Sequence, residues 1–151
     1  MRPIPWAVIG HYTEERLRLV SQLLERVGPR GFVFLPPLRP VRQDQARLSP
    51  PTVRSVLSRT RYYVWCAHHQ FPYFESFRFL DGLLAGAVPC KLDAGELVSS
   101  TIPGAYSSFE ALCDQLTSGN PWSAYEEVRS FYLSKGSLPD HLQAVLVSLG
   151  A

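Results

Sequence analysis

The sequence predicts an α/β fold in three layers, an open parallel sheet carrying helices on both faces. Three observations lead there. Short β-branched or aromatic runs alternate four times with stretches of helical periodicity, the order that builds a parallel sheet. Capping residues open the helical stretches, and glycine or proline closes the first and third of them. The chain has 151 residues, of which 46% are apolar and 19% charged, the size and balance of one globular domain with a substantial core. Residues 1–151 therefore read as a single domain.

Pro5-Trp-Ala-Val-Ile-Gly10 is the first strand, running into Gly10, His11, Tyr12 and Thr13. Thr13 can cap a helix whose first turn carries Glu14 and Glu15, favourable at the positive end of the helix dipole. Leu17, Val20, Leu24 and Val27 supply its apolar stripe, and Gly28-Pro29 stops it. A strand, a glycine turn and a helix start can cradle a phosphate with backbone N–H groups, although a lone glycine also serves an ordinary tight turn. Gly31 to Leu35 is the second strand. Residues 36–51 are rich in proline and contain Arg39, Arg42 and Arg47, an exposed loop that either reaches toward phosphates or is simply solvated.

Ser49-Pro50 opens the second helix as cap and first helical position, with Val53, Val56 and Leu57 inward. Arg61 to Cys66 is the third strand. His68 and His69 follow it, at the end where open α/β sheets take ligands. Adjacent strand residues point to opposite sides, so at most one histidine would face a cleft. Contact with a sugar or phosphate competes there with plain loop packing.

Tyr73 to Leu92 reads as a helix and then a strand at Val88–Leu92. Phe77, Leu80 and Leu84 form its apolar face, widened by Phe79 and Leu83, and Gly86 suits a left-handed helix end. Glu75, Arg78 and Asp81 recur every third residue, a ladder over roughly 9 Å of helix. The ladder can line a cleft for an elongated polar ligand, or it can be a solvated row of ion pairs. Asp93 and Glu96 lie beyond the fourth strand, in an irregular stretch through Tyr106 with a short edge strand. Ser107-x-x-Glu110 and Ser123-x-x-Glu126 predict two further helices, and Pro139 to Leu149 a last one. Right-handed crossovers bring the loops after every strand to one rim, so Gly10–Thr13, His68–Gln70, Glu75–Asp81 and Asp93–Glu96 converge.

The stretch Glu75-Ser-Phe-Arg-Phe-Leu-Asp-Gly-Leu-Leu-Ala-Gly-Ala-Val-Pro89 resembles the donor-binding signature of GT-B glycosyltransferases, in the variant of exostosin-like and fucosyltransferase-like members. The opening Val-Ile-Gly-His-Tyr-Thr-Glu resembles the first strand-loop-helix of their C-terminal domain. The resemblance implies a Rossmann-like fold that binds a nucleotide-diphosphate sugar as donor substrate, with no cofactor and no metal. It implies that Asp81 accepts from ribose hydroxyls, Arg78 faces the pyrophosphate, Glu75 contacts the donor sugar, and the loop of Gly10, His11, Tyr12 and Thr13 brings backbone donors to the phosphates, with Ser76 and His68 also among the expected donor-binding residues. Sugar transfer in that family also needs an N-terminal acceptor-binding domain, which this chain lacks and a separate partner chain could provide. The alternative is a degenerate, non-catalytic interaction or ligand-sensing module that keeps the fold.

Other classes fit poorly. A net charge of +2 is too small and dispersed for nucleic acid. No apolar run reaches the ~18 residues of a membrane span, and the start lacks a signal-peptide pattern, so the expected location is cytoplasmic. Cys66, Cys90 and Cys113 are odd in number and set in apolar sequence, reading as buried thiols.

Overall fold

A computed structural model describes residues 2–37, 47–67, 75–92 and 96–135. His68, Asp93 and the helix expected at 139–149 lie outside the described residues, as do Arg39 and Arg42. The order of elements is β1 (Ile4–Ile9), α1 (Glu14–Arg26), β2 (Phe32–Phe34), α2 (Pro50–Ser58), β3 (Thr60–Trp65), α3 (Ser76–Ala85), β4 (Val88–Leu92), α4 (Glu96–Thr101), β5 (Ala105–Tyr106), α5 (Phe109–Ser118) and α6 (Pro121–Ser134).

All five strands are parallel, in the order β2-β1-β3-β4-β5. This is the three-layer, Rossmann-like sheet the sequence predicts. Central registers pair Trp6 with Tyr62, Ala7 with Tyr63 and Val64 with Cys90. Strand residues alternate between the faces. Trp6, Val8, Tyr62 and Val64 pack under α1 and α5 against Leu19, Leu23 and Leu112. Ala7, Ile9, Tyr63 and Trp65 pack under α2, α3 and α6 against Leu57, Phe79 and Val128. Pro89 precedes the first β4–β5 pair, Lys91 with Ala105, so its missing N–H does not interrupt that ladder.

Several caps sit where the sequence places them. Thr13 accepts from Arg16 N at 3.2 Å, Ser49 accepts from Thr52 N at 3.3 Å, and Gly86 closes α3 with φ 74°. Two expected caps shift. Ser108, not Ser107, caps α5, and Asn120 with Pro121 opens α6 ahead of Ser123, since Asn-Pro supplies cap and first helical position together. The irregular stretch before the edge strand contains the short helix α4.

The larger corrections concern which helix faces turn inward. In α1, Leu17 and Leu24 are exposed, and the buried stripe is Arg16, Leu19, Val20 and Leu23. In α3, Phe77, Leu80 and Leu84 are 59%, 50% and 71% exposed, while Phe79, Gly82, Leu83 and Ala85 are buried. Gly82 suits the inward face of α3: a Cβ there would stand 3.0 Å from the Pro89 ring, tighter than ordinary packing, so the glycine eases the close approach to β4. Both true stripes lead into charged residues, Arg16 in α1 and Glu75 with Arg78 ahead of Phe79. Counting apolar residues alone skips over them. Cys66, Cys90 and Cys113 are buried and unbridged. No helix among the described residues is long and apolar enough to cross a membrane.

Candidate anion site at the topological switch point

Between β1 and β3 the sheet reverses its winding. The connection leaving β1 goes to α1 on one face, and the connection leaving β3 goes to α3 on the other. This switch point, at the carboxyl ends of the strands, is where open α/β sheets bind ligands. Two arginines, one from each helix, occupy it.

Arg16 reaches in from α1. It is 1% exposed, and its Nη1 donates to the His11 carbonyl at 3.0 Å. Gly10 makes the approach possible, because a Cβ there would fall 2.7 Å from Nη1. Nε and Nη2 of Arg16 are buried and find no hydrogen-bond partner among the described residues. Burial, and then the neighbouring Arg78, pull its pKa down from the usual arginine value. The charged form is thus held in a place that disfavours it.

Arg78 reaches in from α3 and is far better supported. Its Nε donates to Glu75 Oε1 at 3.1 Å, and its Nη1 donates to the Ile9 carbonyl at 3.0 Å and the Tyr63 hydroxyl at 2.7 Å. Burial works against its charge, but Tyr63 and Glu75 outweigh that and raise its pKa. Burial also raises the Tyr63 pKa, only partly offset by Arg78, so the phenol stays protonated at neutral pH. Glu75 is 3% exposed, and its Oε2 has no hydrogen-bond partner among the described residues.

Among the described residues of this site, two guanidinium groups stand with one carboxylate, one positive charge in excess. Backbone fields add to it. Arg16 and Arg78 are each the third residue of their helix, at the end whose dipole is positive and favours anions. The donor pair on Arg16 and the acceptor on Glu75, unpartnered among the described residues, match in chemistry an anionic group and a hydroxyl.

The residues singled out from the sequence divide into three groups. Gly10, His11, Glu75 and Arg78 come together here. Thr13 caps α1, exposed Tyr12 sends its backbone N–H to the Pro36 carbonyl, and Gly10 N–H goes to Phe34 O. Those two backbone donors are occupied on the β2 side and are not available to a ligand. Ser76 and Asp81 are exposed; Asp81 lines a cavity of about 250 Å³ between α2 and α3 that includes Val53, Arg54 and Leu84. Arg16 and Tyr63 are the site residues that sequence reasoning missed. Their signal was position: Arg16 lies three and seven residues before Leu19 and Leu23, on the inward stripe, and Tyr63 alternates with Trp65 toward α3.

No group of three or more metal-ligating side chains occurs among the described residues. Comparison with protein-family models, with curated proteins and with solved structures gives no significant match.

Proposed function

We propose that this domain binds a nucleotide-diphosphate sugar at the switch point, as the donor-binding half of a GT-B type sugar transferase. The observation that carries the reading is Arg16, a fully buried guanidinium beside a second arginine, with Nε and Nη2 unpartnered among the described residues. A diphosphate bridging Arg16 and Arg78 would neutralise the excess charge and supply the missing acceptors. Such a contact strengthens as negative charge grows on the leaving diphosphate, which is how a metal-free site can assist transfer. A sugar hydroxyl would donate to Glu75 Oε2. The resemblance assigns the ribose to Asp81, whose exposed carboxylate on α3 remains open to it. Transfer itself requires an acceptor-binding domain facing this rim, on the same or another chain. Without one, the same site serves a ligand-sensing module.

Calorimetric titration of a nucleoside, its monophosphate and its diphosphate separates the possibilities. Affinity should climb with each phosphate, and Arg16→Gln should remove most of that climb while leaving the nucleoside nearly unchanged. Each lost charge-assisted hydrogen bond should cost about 1.5–3 kcal/mol, roughly ten- to a hundredfold in affinity. Equal affinities across the three ligands would overturn the phosphate assignment. Loss of ribose-dependent affinity in Asp81→Asn would support the nucleotide over a bare diphosphate.

A further inference from the structure

A second cavity opens at the opposite end of the sheet, by the amino ends of β3 and β4. It measures about 680 Å³ and is lined by Arg2, Arg61, Val88, Asn120, Trp122 and Tyr125 among others, a volume within the range of small-molecule sites. We propose that it binds an aromatic anion: a flat ring system stacked on Trp122, carrying one carboxylate, sulfonate or phosphate on Arg61.

The chain has three tryptophans. Trp6 and Trp65 are 0% exposed, whereas Trp122 is 70% exposed. Its backbone and its ring nonetheless each have a partner. Its backbone N–H is held by Asn120 Oδ1 at 2.9 Å, and its ring stacks on Tyr125 with centroids 6.1 Å apart and planes 28° from parallel. The Tyr125 hydroxyl is in turn tied to the Leu83 carbonyl at 3.0 Å. An anchored, solvent-facing indole is a shelf on which an aromatic ring stacks with little loss of side-chain freedom.

Charge selects the other half of the ligand. Among the described residues no acidic side chain lines the cavity, while two arginines do. Arg2 spends its Nη1 and Nη2 on carbonyls and contributes only its field. Arg61 donates Nε to the Arg2 carbonyl at 3.1 Å, which orients the guanidinium and leaves its terminal nitrogens without a bond to any described residue. That edge is the bidentate donor an anion needs. The N–H groups of Trp122 and Ser123 are occupied by the Asn120 cap, so the anion rests on Arg61 and not on the end of α6.

The test uses the full chain with nitrogen-15-labelled tryptophan, titrated with naphthalene-2-sulfonate and with its neutral sulfonamide. Only the Trp122 indole signal, assigned by its loss in Trp122→Phe, should shift saturably. The sulfonamide, and the sulfonate added to Arg61→Gln, should bind at least about tenfold more weakly, as expected for loss of one charge-assisted contact. Arg61 is exposed, and the unmoved Trp6 and Trp65 signals verify that the variant keeps its fold. No saturable shift, equal binding of the neutral analogue, undiminished binding by Arg61→Gln, or shifts spread over all three indoles would each overturn the proposal.

Discussion

Arg2 and Arg16 stand at opposite rims of the same sheet, and each rests its guanidinium against a glycine, Gly86 for Arg2 and Gly10 for Arg16. Their surroundings differ. Arg2 donates to Leu57, Thr60 and Ala85 carbonyls at 2.9–3.0 Å. Leu57 and Ala85 are in the last turns of α2 and α3, where carbonyls lack helical partners and the dipole is negative. Arg16 sits in the first turn of α1, beside another cation, with one carbonyl bond and two unpartnered nitrogens. Arg2 completes the fold; Arg16 is stationed against the local field. A folded chain retains such a group at a cost, and a charge held against its field is what an anion site requires.

The comparison can be broken most decisively at Arg2. Arg2→Met leaves three carbonyls without their donor and should destabilise the domain by about 3 kcal/mol or more, read as a lower denaturant midpoint. A loss below about 1 kcal/mol would mean that water replaces Arg2 freely.

The two glycines sharpen it. Gly86→Ala forces a side chain onto φ 74° and into the Arg2 guanidinium, an expected loss of roughly 1–3 kcal/mol in stability. Gly10→Ala meets the far end of the Arg16 side chain, Nη1 at 2.7 Å and Cζ at 3.1 Å, and no backbone. It should shift stability by less than about 1 kcal/mol yet weaken diphosphate binding by displacing the guanidinium. Comparable unfolding losses in the two variants would erase the distinction between the rims.

A smaller effect is expected at Tyr63, whose hydroxyl accepts from Arg78 at 2.7 Å. Tyr63→Phe should cost about 1.5 kcal/mol in stability, the worth of a hydrogen bond to a charged donor. It should also loosen diphosphate binding without changing nucleoside affinity. Unaltered diphosphate affinity would show that Ile9 and Glu75 alone hold Arg78 in place.

The parallel sheet and the strand-helix alternation that builds it were legible in the sequence, because they follow from local periodicity. Thr13, Ser49 and Gly86 were legible as well, since caps depend on one or two local residues. The inward faces of α1 and α3 were not. A rule that counts apolar residues assigns Leu17, Leu24, Phe77, Leu80 and Leu84 to the core, but packing selected the faces containing Arg16, Glu75, Arg78 and Gly82. The site was hidden for the same reason. Arg78 and Glu75 were visible as a ladder, but their burial, and the arrival of Arg16 from another helix, depend on how two elements meet across the sheet. Asp81 belongs to the same ladder by spacing and is exposed, a division that spacing alone cannot show.

The most direct measurement of the central claim is equilibrium unfolding of the wild type and Arg16→Met, each with and without a nucleoside diphosphate. Removing a buried, under-partnered charge in favour of an apolar side chain of similar length should leave the free variant at least as stable as the wild type. Ligand at a hundredfold its Kd should stabilise the wild type by about 2.7 kcal/mol and the variant hardly at all. A free variant weakened by about 3 kcal/mol, as expected of Arg2→Met, or equal stabilisation of both proteins by the diphosphate, would contradict the account.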